Sequence, residues 1–129
     1  NSQIDLALLD LEVGGFSPLE FQDPTNIKVG ERVIATGNPG SSVGVLTFTV
    51  TEGIISAVRF DAAHDIYILQ TDTPLNPGSS GGPLIDINKF IVGINTFKPT
   101  FCSLDPFPLG CEGLNFAIRS DAIESFLYS

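Results

Sequence analysis

Apolar and polar positions alternate in short runs along most of this chain. Runs rich in β-branched and aromatic residues recur at 4–13 (IDLALLDLEV), 31–37 (ERVIATG), 43–60 (VGVLTFTVTEGIISAVRF), 65–72 (DIYILQTD), 82–87 (GPLIDI), 90–97 (FIVGINTF) and 113–118 (GLNFAI). Clusters of Gly, Pro, Asn and Asp punctuate them, including DPTN, GNPGSS, NPGSSGG and DINK. Many short strands between turn signals predict an antiparallel barrel or sandwich. The period changes only in the tail, RSDAIESFLYS. There Ile123, Phe126 and Leu127 fall on one helical face, and Asp121 with Glu124 three residues on can form a capping box. A short C-terminal helix packed on an all-β body is the expectation.

A chain of 129 residues with 43% hydrophobic content supports one domain with a real core, and it is too short for two ordinary ones. The formal charge is −9 with only 6 Lys and Arg, which argues against nucleic acid or an anionic membrane as partner. No apolar run reaches the roughly 20 residues of a membrane span, and no signal-peptide pattern is present. The chain has no Met, and its first residues read as the middle of a strand, so it is expected to be a piece of something longer. Cys102 and Cys111 flank a Pro- and Gly-containing segment, FCSLDPFPLGCEG. They can close a small disulfide ring, which would point to an oxidising, extracytoplasmic compartment, or they can stand as two free thiols. One His and a single Cys pair offer no metal-ligand set.

The stretch 76–84, NPGSSGGPL, raises the chemical question. A Gly/Ser-rich turn can be a passive connector. A nucleophilic serine, however, needs an exposed hydroxyl on rigid backbone, with N–H groups converging where a carbonyl oxygen becomes an oxyanion. Glycines supply positive φ and room for substrate backbone. Around Ser80, Gly78 can turn its N–H inward beside that of Ser80, Gly81 and Gly82 leave space, and Pro83 restarts a strand. Asp72 and the Asn38–Pro39 pair read as turn chemistry rather than as catalysts or ligands.

QTDTPLNPGSSGGPL resembles the active-site loop of trypsin-like serine proteases, and within them the HtrA/Deg branch. Three further segments resemble that branch in the same order along nearly the whole chain: DLALL, GERVIATGNP followed by VTEGIISA, and VGINTF followed by GLNFAI. The resemblance implies a Greek-key β-barrel of the trypsin type, acyl-enzyme hydrolysis of peptide bonds, and no cofactor. It implies Ser80 as nucleophile, Asp5 as the aspartate that orients the histidine, and Gly78 with Ser80 as oxyanion donors. Leu75 and Leu114 match positions near the primary specificity pocket, where apolar side chains favour small or medium apolar substrate residues. Ile94, Asn95 and Thr96 match the strand that pairs with substrate backbone.

The pattern departs from the family at three places. Ser79 stands where HtrA-like proteins usually carry Asn, so a salt bridge formed after chain cleavage is not implied, although a hydroxyl hydrogen bond can keep the loop geometry. Arg119 stands where the family often has Pro. The triad histidine, which the family carries upstream of the aspartate in a first barrel, has no counterpart. The only histidine, His64, precedes a run that as a strand would put it about 27 Å from the serine loop, whereas a base must lie within about 3 Å. It reads as an exposed turn residue beside Asp65.

Residues 1–129 are therefore expected to be the second barrel of a serine endopeptidase acting on protein or peptide substrate, its partner being a missing first barrel and its own activity being absent. The rival reading is a non-catalytic peptide-binding or assembly domain on a protease scaffold. Self-association stays open in both.

Overall fold

The computed structural model describes residues 3–38, 40–41, 44–45, 48–96 and 113–129. Six antiparallel strands close into a barrel in the order β1-β4-β5-β8-β7-β6, with β6 returning to β1. They are β1 (Arg32–Gly37), β4 (Thr49–Asp61), β5 (Ile66–Thr71), β6 (Pro83–Asp86), β7 (Ile91–Thr96) and β8 (Asn115–Arg119). A two-residue pair, β2 (Gly40–Ser41) with β3 (Gly44–Val45), lies between β1 and β4. The run at 43–60 is thus divided, and only its second half joins the barrel.

Strand alternation explains the interior. Val33 and Ala35 point inward from β1 and meet Ile55, Leu69, Leu84, Val92 and Ala117, with Ile27 beside them. Each fully buried Ile or Leu contributes about 1.5–3 kcal/mol by leaving water. Strand β8 is buried at three consecutive residues, Phe116, Ala117 and Ile118, because both of its faces are covered. The outer cover is the helix α1 (Ser120–Leu127), whose Ala122 and Ile123 pack with Ile118 and Leu6, joined by Phe126, Leu127 and Ile94.

Two sequence expectations do not match the elements. The run at 4–13 forms no strand among the described residues, and residues 7–20 are exposed. A strand needs a neighbour to satisfy its N–H and C=O groups, and the barrel is already closed without it. The segment rejoins the sheet only at 20–22: Ile91 N–H donates to the Glu20 carbonyl at 2.8 Å, and Gln22 N–H to the Ile91 carbonyl at 2.8 Å. The capping box is also absent, because the helix begins two residues earlier with Arg119 at its N-cap and no side-chain cap. Asp121 is engaged instead by the Arg119 guanidinium through two hydrogen bonds, of 2.8 and 2.5 Å. That pairing holds the Asp121 carboxyl below its ordinary range.

Candidate active site

The serine loop hangs between β5 and β6 and is braced from three sides. Within it, Ser79 N–H donates to the Asn76 carbonyl at 2.8 Å, and Asn76 N–H to Ser79 Oγ at 3.4 Å. The Ser79 hydroxyl thus holds loop geometry by a hydrogen bond. On the β1 side, a Cβ at Gly82 would run into the Thr36 carbonyl oxygen, so only glycine lets the loop lie this close. On the β7 side, Gly81 N–H donates to the Asn95 carbonyl at 2.8 Å and Asn95 N–H to the Gly82 carbonyl at 2.9 Å. Gly78 and Gly81 have φ of 99° and 85°, values that side chains rarely adopt. The loop is therefore a rigid device rather than a connector.

This bracing sorts neighbouring residues. Ser79 is buried and Ser80 exposed. The amides of Ser79, Gly81 and Gly82 are used inside the fold, while those of Gly78 and Ser80 meet no acceptor among the described residues.

Asp5 reaches the same place from the opposite end of the chain. It sits in a turn with φ of 58°, a left-handed conformation that aspartate tolerates. Thr96, at the end of β7, donates its hydroxyl to Asp5 Oδ2 at 3.0 Å. Asp5 and Ser80 line one cleft of about 460 Å³, together with Gly81, Ile94, Asn95 and Phe126. A cleft of that size can hold an aromatic ring.

His64 is elsewhere. Its Nδ1 lies 2.7 Å from Asp61 Oδ2 at the β4–β5 turn, and it lines a separate cavity of about 520 Å³ with Phe60, Tyr67 and Ser125. Asp72 is also structural, its Oδ1 accepting the Ile54 N–H at 2.7 Å. Leu75 is half-buried against the interior core and Leu114 is exposed. Cys102 and Cys111 lie outside the described residues.

Ile94, Asn95 and Thr96 lie in β7. Strand β7 is paired on both sides, with Ile94 opposite Pro83 and Ile118. Both backbone groups of Asn95 are spent on Gly81 and Gly82. Ile94 and Asn95 thus have partners on both sides, and Thr96 is paired on one side, with Phe116. The role of the Thr96 hydroxyl escaped the sequence reading, because nothing local marks a threonine whose partner is Asp5.

The closed antiparallel barrel with one short C-terminal helix is the architecture of trypsin-like protease structures. The sequence profile of the trypsin-like peptidase domain matches residues 1–94. The chain belongs to the trypsin-like peptidase family, and its relatives place it with the HtrA type. It is 36% identical over 123 residues to a Halomonas elongata protein named probable periplasmic serine endoprotease DegP-like, covering 94% of this chain and 24% of that one. It is 36% identical over 128 residues to serine protease Do-like HtrB of Bacillus subtilis, covering 93% and 26%. Among solved structures, the HtrA-type protease AlgW with tripeptide superposes with a TM-score of 0.71 at 31% identity, over 92% of this chain and 37% of that one. The chain thus spans about a quarter of the length of these two curated relatives.

Proposed function

We propose that this chain is the nucleophile-bearing barrel of an HtrA-type serine endopeptidase, and that a second barrel supplies the triad histidine. The observation that carries this reading is the shared cleft of Ser80 and Asp5, with Thr96 bonded to the carboxylate. In the complete site, Ser80 Oγ attacks a peptide carbonyl carbon while the imidazole takes the hydroxyl proton and Asp5 steadies the imidazolium. The amides of Gly78 and Ser80 receive the developing oxyanion. The imidazole then protonates the leaving amine, and water repeats the attack on the acyl-enzyme. The only histidine of the chain lines a different cavity, which supports a base from outside these residues. Leu75 and Leu114 are proposed to border the substrate side chain, and an extended substrate would pair from Thr96 onward. An extracytoplasmic location accords with the periplasmic relative and with a Cys102–Cys111 disulfide.

The test is cleavage of casein by the full-length protein and by this chain alone, with Ser80→Ala as control. Ser80-dependent turnover is expected from the first and none from the second. Robust turnover by the chain alone would mean that the base is internal and the two-barrel reading is wrong.

The second reading, a peptide-binding or assembly domain without catalysis, has one observation in its favour: Leu8, Leu9, Leu11, Val13 and Phe16 form an exposed apolar arm. Fluorophosphonate labelling of the full-length protein separates the two. Adduct at Ser80 supports the enzyme, and peptide binding without adduct supports the module.

A further inference from the structure

Residues 72–75 lead from β5 into the serine loop and belong to no strand. Side chains take over there from the strand ladder. The Thr71 hydroxyl donates to the Ile54 carbonyl at 2.7 Å and accepts the Thr73 N–H at 3.1 Å. Its hydrogen is spent on Ile54, so the Thr73 hydroxyl is the donor in the 2.7 Å bond between the two threonines. Both threonines are fully buried. A Cβ at Gly53 would lie 2.6 Å from the Thr73 backbone nitrogen, so the segment rests directly on β4.

Two further side chains take successive carbonyls of this segment. Asn115, the first residue of β8, donates from Nδ2 to the Thr73 carbonyl at 2.8 Å. Thr51 donates its hydroxyl to the Pro74 carbonyl at 2.8 Å. Strands β4 and β8 flank β5, so these two anchors come from opposite neighbours. The backbone register pairs Asn115 with Thr71, and the β5–β8 ladder closes without the side-chain bond. The Asn115 amide instead reaches past the end of β5. Leu75 follows Pro74, and Leu114 precedes Asn115. The 2.8 Å bond is therefore a direct tie between the segments that carry these two leucines.

We propose that Asn115, with Thr51 as a second anchor, is a specificity-determining positioning residue: its amide holds the Thr73 carbonyl and thereby sets where Leu75 stands relative to Leu114. The inference rests on the reading above that these two leucines border the substrate side chain. Apolar walls held at a fixed spacing favour a small side chain such as Val over a large one such as Phe, because the larger one fits only when a wall moves. Loss of the amide donor leaves the Thr73 carbonyl unpaired and Leu75 free to shift.

The test uses the full-length protein and two fluorogenic peptides that differ only in Val or Phe on the acyl side of the scissile bond. The quantity read is the ratio of kcat/KM for Val over Phe, in Asn115→Ala, Asn115→Asp and Leu75→Ala, with melting temperatures alongside. Each Asn115 variant is expected to lower that ratio about tenfold, the equivalent of one lost hydrogen bond. A residue with a structural role alone would slow both peptides equally and leave the ratio intact. If Leu75→Ala changes the ratio and a folded Asn115 variant does not, the proposal is overturned and the pocket reading stands. An unchanged ratio in Leu75→Ala, or no Ser80-dependent turnover by the unsubstituted protein, overturns the underlying reading and the proposal with it. Asn115→Asp keeps the side-chain volume. If neither Asn115 variant folds, Thr51→Val carries the same comparison, a lowered ratio supporting the anchoring and an unchanged one overturning it, with Thr51→Ser expected to restore the ratio.

Discussion

Gly82 shows how one residue can set the whole site. Its missing Cβ lets the serine loop lie against the Thr36 carbonyl, and a backbone oxygen cannot swing aside as a side chain can. Gly82→Ala is expected to cost about 1–3 kcal/mol of overpacking, read as a lower urea midpoint, and to displace Ser80 enough to abolish fluorophosphonate labelling of the full-length protein. Thr96 acts at the same scale through chemistry rather than volume. Thr96→Val keeps the shape but removes the 3.0 Å bond to Asp5. If that bond orients the carboxylate, kcat/KM of the full-length protein falls about tenfold, near the worth of one hydrogen bond to a charged group. The loop glycines and Ser80 were legible in the sequence, because positive φ and exposure are local properties of NPGSSGGPL. The partners of Thr96 and Asn95 were not, since each is joined to a residue distant in the chain.

At the scale of elements, the barrel strands follow from their own alternation, and the helix from its apolar face. Leu69 lies in β5 with no exposed surface. Leu69→Ala is expected to destabilise the chain by about 2–5 kcal/mol in chemical denaturation. The helix start was misread because the capping-box pattern at Asp121 and Glu124 competes with Arg119, which also stacks over Tyr67 at 4.1 Å from its ring centre. Arg119 lowers the pKa of Asp121 from an ordinary value near 3.8. The pair therefore stabilises the fold fully above that value and is lost as pH falls through the lowered one. Asp121→Asn removes that part of the acid sensitivity. The change amounts to less than about 1 kcal/mol because the pair is partly solvated, and melting temperatures at pH 7 and below pH ~3 check it.

At the scale of the molecule, the exposed apolar arm is the feature that the barrel does not explain. Leu9 and Phe16 are 78% and 71% exposed, and the arm has no strand partner within the described structure. Extended apolar segments with unpaired backbone recruit partners, so this chain alone is expected to self-associate. The double substitution Leu9→Glu and Phe16→Glu should shift it toward monomer in sedimentation without lowering its melting temperature, because both side chains are mostly exposed. The sequence by itself determined the strand-rich architecture, the C-terminal helix and the glycine-rich serine loop, since each is written in a local period or in the φ that a residue permits. Only the tertiary structure decided that Asp5 and Ser80 share a cleft and that Asn95 is spent on the loop. Those relations depend on which strands become neighbours when the barrel closes, and no window of adjacent residues records that.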